Sequence, residues 1–218
     1  MDSRHDQVYS AELQPTLASV EPFLHLPSNS RYLTQNPKGQ PNVPTPAVFL
    51  DRDGVLIEEV SYISKPEQIN ILDEVPEAIV RLQEHYYTMV VTNQSGIARG
   101  MFSESDLFKV HESLVRRLSA DGAIIDAIYY CPHHPDGNVF EYVLECECRK
   151  PMPGLLKQAS KDWNIDLAQS SIVGDMPRDI EAGAAAGVTG FFVTPDSGDS
   201  GSGRNVSSLL EAANGILK

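Results

Sequence analysis

All three cysteines of this 218-residue chain fall within 18 residues, at Cys131, Cys146 and Cys148, and two histidines, His133 and His134, lie in the same window. Three thiolates and one imidazole make a closed tetrahedral zinc site when two short turns supply the ligands. Reduced, buried thiols are the simpler alternative, because free cysteine packs like a small apolar residue. A disulfide network is disfavoured, because the number of cysteines is odd and no secretory signal is expected. The pattern favours a zinc-bound loop, and the spacing leaves open which histidine takes part.

Two carboxylates, Asp51 and Asp53, follow the apolar run 47–50, which is typical of a buried strand. Gly54 allows the backbone to turn directly after them. Acids crowded at a strand end favour a divalent cation, and this end of an open α/β sheet is where ligands bind. The segment therefore predicts a metal site.

Other segments repeat this pattern of an apolar strand followed by a polar tip. The strand near 89–91 ends in Thr92 and Asn93, and the strand near 172–173 ends in Asp175. Lys150 precedes a helical stretch that starts near residue 153. The chain thus offers an acid pair, a hydroxyl and amide tip, a lysine and further acids, in that order.

This order, Asp-x-Asp-Gly, Thr-Asn, Lys-Pro and Gly-Asp-x-x-x-Asp, resembles the four motifs of the haloacid dehalogenase superfamily of phosphotransferases. The segments 49–54, 91–100, 131–135 and 146–154 resemble its heptose bisphosphate phosphatase family in particular. The resemblance covers about residues 47–194. It implies an α/β fold with a Rossmann-like parallel sheet, helices on both faces and a zinc-stapled loop. No large cap domain is expected, because no insertion of domain size separates the motifs.

The resemblance implies a Mg²⁺-dependent phosphatase that works through an aspartyl-phosphate. Asp51 is then the nucleophile, and the side chain of Asp53 protonates the leaving oxygen and later activates water. The implied Mg²⁺ ligands are Asp51, the backbone carbonyl of Asp53 and Asp175. Asp179 either supports this metal through water or is simply a residue at a helix N-terminus.

The resemblance also assigns the zinc ligands and the substrate contacts. The implied zinc ligands are Cys131, His133, Cys146 and Cys148. Lys150 and Thr92 compensate the phosphoryl oxygens, and the planar fork of Arg149 suits a second phosphate. The full set of expected substrate-binding residues is Glu59, Tyr62, Thr92, Asn93, Gln94, Ser95, Arg149 and Lys150.

The most favoured substrate is a heptose 1,7-bisphosphate that loses its C7 phosphate. Histidinol phosphate is an alternative substrate, and a non-catalytic binding protein on the same fold is an alternative of another class. The segment Glu59–Tyr62 lacks the glycine that precedes this tyrosine in the family, Val55 replaces a common threonine, and Met176 replaces a common lysine. These departures leave the exact sugar and anomer open.

The net charge of −13 argues against nucleic-acid binding, which needs a basic surface. It also repels a sugar phosphate, so a metal and a local cluster of cations must overcome this field. The candidate cations are Arg52, Arg99, Arg149 and Lys150. No apolar run approaches the roughly 20 residues of a membrane span, and no signal peptide is evident. We therefore expect a cytoplasmic monomer with no nucleic-acid or membrane partner.

Three regions are expected along the chain. Residues 1–46 form an irregular N-terminal arm, 47–194 the phosphatase domain, and 195–218 a flexible linker with a short C-terminal helix. The expected strands are 47–51, 88–92, 124–130, 171–173 and 189–193. The expected helices are 74–85, 104–119, 154–163, 177–186 and 207–217.

Overall fold

The computed structural model describes residues 43–194 and 203–218, together with the backbone of 31–34. Within these residues the strands are β1 (Arg31–Thr34), β2 (Ala47–Leu50), β3 (Tyr87–Asn93), β4 (Ala127–Cys131), β5 (Ser171–Gly174), β6 (Thr189–Val193) and β7 (Arg204–Val206). The α-helices are α1 (Val75–Leu82), α2 (Glu104–Ala120), α3 (Gly154–Trp163), α4 (Pro177–Ala186) and α5 (Leu209–Ile216). Short 3₁₀ helices are Pro66–Gln68, Phe140–Tyr142 and Leu167–Gln169.

The strands form one sheet in the order β1-β4-β3-β2-β5-β6-β7. The six strands from β4 to β7 in this order are parallel to one another. Strand β1 pairs with β4 at the edge of the sheet and is antiparallel to it. Parallel neighbours require crossover connections, which the helices provide. The predicted Rossmann-like parallel sheet is confirmed, with one antiparallel strand added.

Successive residues of β2 point to opposite faces of the sheet, as in any strand. Val48 and Leu50 pack in one core with helices α1, α2 and α5, whereas Ala47 and Phe49 pack in the other with α3 and α4. All four side chains are fully buried. A strand covered on both faces is a continuous apolar run, which explains why the sequence shows no polar alternation here.

The helix starts are set by local capping. The Oγ atom of Ser103 accepts a hydrogen bond from the Asp106 amide, and the Asp106 carboxylate accepts one from the Ser103 amide, so α2 begins at Glu104. Between β2 and α1 the only regular element described is the 3₁₀ helix Pro66–Gln68. No cap domain therefore lies over this part of the sheet. No helix in the described part of the chain is long and apolar enough to cross a membrane.

Two edge strands correct the sequence interpretation. The arm 1–46 was expected to be irregular, but Arg31–Thr34 forms β1; β7 at Arg204–Val206 was not expected either. Both are short and are paired on one side only, so backbone pairing with a distant strand creates them rather than a local apolar pattern. The rest of the arm up to residue 42, and the expected linker except Gly203, lie outside the described residues.

Candidate active site

A cavity of about 420 Å³ opens at the carboxyl ends of β2, β3 and β5. Strands β2 and β3 and strands β2 and β5 are parallel neighbours, so their polar tips meet at one edge. Predicted residues on its wall are Asp51, Asp53, Glu59, Tyr62, Thr92, Asn93, Gln94, Ser95, Arg149 and Asp175. The predicted residues Lys150 and Asp179 lie behind this wall, fully buried.

Asp51 lines the cavity and is nearly buried. Its amide donates to the carbonyl of Val173 (2.9 Å), which extends the sheet pairing by one residue. Its Oδ1 atom accepts from the Arg52 amide (2.8 Å) and lies 3.0 Å from the Lys150 ammonium. Both contacts hold the carboxylate in one orientation.

Lys150 is held as a fixed positive charge. Its Nζ atom donates to the Val91 carbonyl at 2.7 Å and lies 2.6 Å from Oδ1 of Asp179. Burial by itself would lower the Lys150 pKa, but Asp179 and Asp51 outweigh that effect and raise it. The Asn93 side chain fixes the Lys150 backbone, with one hydrogen bond in each direction at 3.0 Å.

The side chains at the carboxyl end of β3 line the cavity and also form hydrogen bonds with other protein groups. Nε2 of Gln94 donates to Asp53 (3.1 Å) and to the Thr92 hydroxyl (2.9 Å). The Asn93 amide, predicted to bind substrate, is the one that holds Lys150. Gln94 and Asn93 therefore shape the site through the residues that they position.

Arg52 is paired with Asp53 in a way the sequence did not indicate. Its Nη2 lies 2.8 and 2.9 Å from the two Asp53 carboxylate oxygens, and its Nε donates to Oδ1 at 3.1 Å. The Arg52 side chain is almost fully buried. Three contacts between one guanidinium and one carboxylate form a rigid pair, so Asp53 is held in one orientation.

Asp51, Asp175 and Asp179 bring one carboxylate oxygen each within 4.8 Å of one another. Burial, together with the charges of Asp51 and Asp179, raises the pKa of Asp175 to about 7. A Cβ at Gly54 would lie 2.2 Å from Oδ2 of Asp175, so this carboxylate rests against the turn that follows Asp53. Crowded acids beside a backbone turn fit a hard divalent cation such as Mg²⁺.

The Asp179 carboxylate makes two contacts within the protein. Its Oδ2 accepts from the Met176 amide at 3.0 Å, which caps the start of α4, and its Oδ1 pairs with Lys150. The first contact agrees with the expected position at a helix N-terminus, whereas the ion pair with Lys150 was not anticipated. The ion pair makes Asp179 a support for the charge beneath Asp51.

The three cysteines and His133 form a compact buried cluster. The Sγ atoms of Cys131 and Cys148 are 3.2 Å apart, those of Cys146 and Cys148 are 3.3 Å apart, and Nδ1 of His133 is 3.2 Å from Cys148. The hydrogen bond from Cys148 lowers the pKa of the Cys131 thiol to about 6, although burial opposes this. Four soft ligands at nearly equal separations fit a tetrahedral Zn²⁺.

His134 lies outside this cluster. Its Nε2 is 3.1 Å from Nη2 of Arg99, and its Nδ1 accepts from the Asp136 amide, so it belongs to the cavity wall. Of the two histidines that spacing alone could not separate, His133 lies within the cysteine cluster and His134 does not.

Three arginines, which we call the arginine wall, line the cavity together with His134: Arg99, Arg149 and Arg178. Nη1 of Arg149 donates to the His133 carbonyl (3.3 Å), which ties it to the metal loop. Burial lowers the pKa of Arg149, the charges of Arg178 and Arg99 act in the same direction, and the Cys131 thiolate opposes them. Arg178 was not anticipated; its position in the first turn of α4, directly after Pro177 and close to Asp175, was the available signal.

The rim carries Glu59 and Tyr62, both exposed. Partial desolvation and the nearby Asp53 and Asp51 raise the pKa of Glu59. Tyr62 has a positive φ of 58°. These two side chains are the exposed members of the predicted substrate-binding set on the cavity lining.

The fold and this site define a haloacid dehalogenase-like hydrolase. A family model described as HAD-hydrolase-like matches residues 147–207. A solved HAD-like phosphatase from Mesorhizobium loti superposes with a TM-score of 0.77 at 31% identity, covering 86% of this chain and 94% of that one.

Two further similarities are more specific. The D-glycero-beta-D-manno-heptose-1,7-bisphosphate 7-phosphatase of Yersinia pestis is 46% identical over 144 residues, which is 66% of this chain and 77% of the relative. D,D-heptose 1,7-bisphosphate phosphatase from B. bronchiseptica, solved with magnesium and phosphate, superposes with a TM-score of 0.69 at 32% identity, covering 79% and 98% of the two chains. This chain belongs to that family of phosphoric monoester hydrolases, which confirms the resemblance seen in the sequence.

Proposed function

We propose that this protein removes the C7 phosphate of D-glycero-D-manno-heptose 1,7-bisphosphate, with Mg²⁺ as cofactor and an aspartyl-phosphate on Asp51. The observation that carries the proposal is the position of Asp51. Its carboxylate is nearly buried, lies beside the fixed charge of Lys150 and lines the same cavity as the arginine wall. The family names of the relatives support the choice of sugar.

The first step transfers the phosphoryl group to the protein. An oxygen of Asp51 attacks phosphorus, the bond between phosphorus and the C7 oxygen breaks, and Asp53 gives a proton to that oxygen. The Oδ1 contacts with Lys150 and the Arg52 amide hold the attacking carboxylate in place. The dephosphorylated sugar then leaves.

The second step releases orthophosphate. Water attacks the phosphorus of the aspartyl-phosphate, Asp53 takes a proton from the water, and the Asp51 carboxylate is restored. Asp53 serves both steps from one orientation, because the Arg52 fork and Gln94 hold its carboxylate.

Mg²⁺ would be held by Asp51, Asp175 and the Asp53 carbonyl. When bound, it supplies positive charge that offsets the repulsion between the Asp51 carboxylate and the phosphate. Asp179 keeps Lys150 in place rather than serving as a ligand, because both of its oxygens already have partners.

The second phosphate would lie against the arginine wall. Arg149 and Arg99 line the same cavity as Asp51, and an arginine fork matches a phosphate. The Nε atoms of Arg99 and Arg178 are buried and have no hydrogen-bond partner among the described residues. Such donors favour an anionic ligand, because an unpaired buried donor is costly.

Zn²⁺ would be bound by Cys131, His133, Cys146 and Cys148 and would stabilise the loop without touching substrate. The loop continues directly into Arg149 and Lys150, so its order determines where both cations lie. Thiolate ligands suit the reducing cytosol, where we place the protein as a monomer acting on a small phosphorylated sugar.

The test is phosphate release from a panel of substrates by purified protein, with Mg²⁺ and with EDTA. We expect turnover of heptose 1,7-bisphosphate to exceed that of histidinol phosphate and of simple sugar monophosphates, and to vanish in EDTA. Asp51→Asn should abolish turnover and leave the fold intact, because it removes a charge and little volume. A preference for histidinol phosphate, or substantial Mg²⁺-dependent activity of Asp51→Asn, would refute the proposal.

A further inference from the structure

His111, in the middle of α2, lies under the active site without lining the cavity. It is almost fully buried, with 1% of its surface accessible to solvent. Its Nε2 is 3.2 Å from Nη1 of Arg52. Its ring meets that of Tyr130 edge-on, with the centroids 5.9 Å apart, so the imidazole is held in one orientation.

The contact fixes the protonation of His111. Arginine has only donors and keeps its proton, so Nε2 of His111 must be the acceptor and the ring proton must sit on Nδ1. The imidazole is therefore neutral. Burial and the charge of Arg52 lower the pKa of His111 well below its usual value, in agreement with this assignment.

The guanidinium of Arg52 is held from both sides. Nε and Nη2 face the Asp53 carboxylate, Nη2 also donates to Oε1 of Gln94 at 3.2 Å, and Nη1 faces His111. Without a contact at Nη1, the Arg52 guanidinium could still rotate about the bonds of its long side chain. The His111 contact removes that freedom and therefore limits the positions available to Asp53.

We propose that His111 is a positioning residue for proton transfer: it fixes Arg52, and Arg52 fixes the carboxylate of Asp53 against the leaving oxygen. This inference rests on the proposed function, because it requires Asp53 to donate that proton. His111 itself touches neither substrate nor metal. Its effect should be confined to steps in which Asp53 moves a proton.

The experiment compares two substrates that differ in their need for a proton donor. The C7 oxygen of the sugar leaves as an alcohol and needs the proton, whereas p-nitrophenolate is a stable anion and needs little help. For His111→Leu we expect kcat/KM on heptose 1,7-bisphosphate to fall about ten- to hundredfold, the usual effect of losing one hydrogen bond to a charged group. On p-nitrophenyl phosphate, kcat/KM of the same variant should change by no more than about twofold.

Two amide variants provide the matched control. Glutamine places its amide oxygen near the position of Nε2, whereas the shorter asparagine places it near Nδ1. His111→Gln should therefore restore the sugar phosphate activity and His111→Asn should not. Thermal unfolding checks each variant, and if His111→Leu does not fold, His111→Asn takes its place in the substrate comparison.

The outcomes separate this inference from the proposed function. A wild-type protein that hydrolyses p-nitrophenyl phosphate but not heptose 1,7-bisphosphate refutes the proposed function. With an active wild type, equal losses on both substrates would show that His111 only supports the fold. His111→Gln as slow as His111→Asn would also overturn the positioning role.

Discussion

At the scale of single residues, charge is placed before any ligand arrives. The Lys150 ammonium is enclosed by the carboxylates of Asp179 and Asp51 and the carbonyl of Val91, so it cannot move toward solvent. Preorganised charge of this kind stabilises a transition state without the cost of reorganising solvent. Arg149, by contrast, sits on the cavity wall and is free to meet a ligand.

Arg149 should therefore recognise the second phosphate. We expect Arg149→Ala to lower kcat/KM about ten- to hundredfold on heptose 1,7-bisphosphate, because a charge-assisted contact is worth roughly 1.5–3 kcal/mol. On heptose 7-phosphate the loss should be within about threefold. Steady-state kinetics on the two substrates gives both ratios.

Arg116→Ala is the matched control for Arg149. Arg116 is an exposed arginine on α2 that does not line the cavity, so its loss removes the same charge from elsewhere on the surface. Arg116→Ala should leave kcat/KM unchanged on both substrates. Equal losses on the two substrates in Arg149→Ala would show that Arg149 does not bind a second phosphate.

The roles proposed for Asp51, Lys150 and Asp175 came from the resemblance of their motifs to the family. The structure brings these three residues together, but their contact partners were not predicted. The partnership of Arg52 with His111 joins positions 59 residues apart and leaves no local pattern. The choice between His133 and His134 likewise depends on the direction in which each side chain points, which spacing does not encode.

At the scale of elements, two glycines with positive φ play different parts. Gly54 (φ 73°) forms the turn after β2, where a side chain would collide with Asp175. Gly187 (φ 79°) ends α4 and has open space around it. The two positions share a conformational requirement, and only Gly54 adds a steric one.

Alanine substitution separates these effects. Both Gly54→Ala and Gly187→Ala should destabilise the fold by on the order of 1 kcal/mol through the positive φ, which lowers Tm by about 2–4 °C. Gly54→Ala should in addition reduce kcat roughly a hundredfold, because it displaces Asp175. Calorimetry and kinetics on both variants test this. Comparable activity of the two variants would show that Asp175 does not need its place against the turn.

The loop that carries the proposed zinc ligands is the second element expected to affect activity without contacting the substrate. Purified protein should contain one zinc per chain, and Cys146→Ser should lose it. We expect kcat to fall at least about tenfold, because Arg149 and Lys150 follow the cluster directly and lose their positions. Metal analysis and kinetics measure both effects.

Glu141→Ala, an exposed change in the same loop, serves as the control for Cys146→Ser. It should retain zinc and normal turnover. Protein without zinc, or Cys146→Ser with unchanged kcat, would contradict a structural role for the metal.

The central elements of the fold were predictable, and its edges were not. Helices α3 and α4 and strand β6 begin and end at the expected residues, because apolar periodicity and capping are local signals. Strand β1 depends on pairing with β4, which lies about a hundred positions later in the chain. No window of sequence around Arg31–Thr34 contains that information.

At the scale of the whole molecule, the charge distribution opposes the net charge. The chain carries −13 at pH 7, yet three arginines, Arg99, Arg149 and Arg178, face one cavity. A cleft lined by one sign of charge focuses the field locally, so an anionic substrate is attracted there despite the repulsive surface. The same cavity is also lined by Asp51 and Asp175, two of the proposed Mg²⁺ ligands.

The presence of arginines and acids in one cavity leads to the central claim, that one phosphate is held by the arginine wall while the other is transferred to Asp51. The direct measurement is ³¹P NMR of heptose 1,7-bisphosphate incubated with the protein and Mg²⁺. We predict that the C7 ester signal disappears, orthophosphate appears in equal amount and the C1 phosphate signal stays constant, whereas Asp51→Asn leaves both ester signals unchanged. Loss of the C1 phosphate, or equal loss of both, would contradict the account.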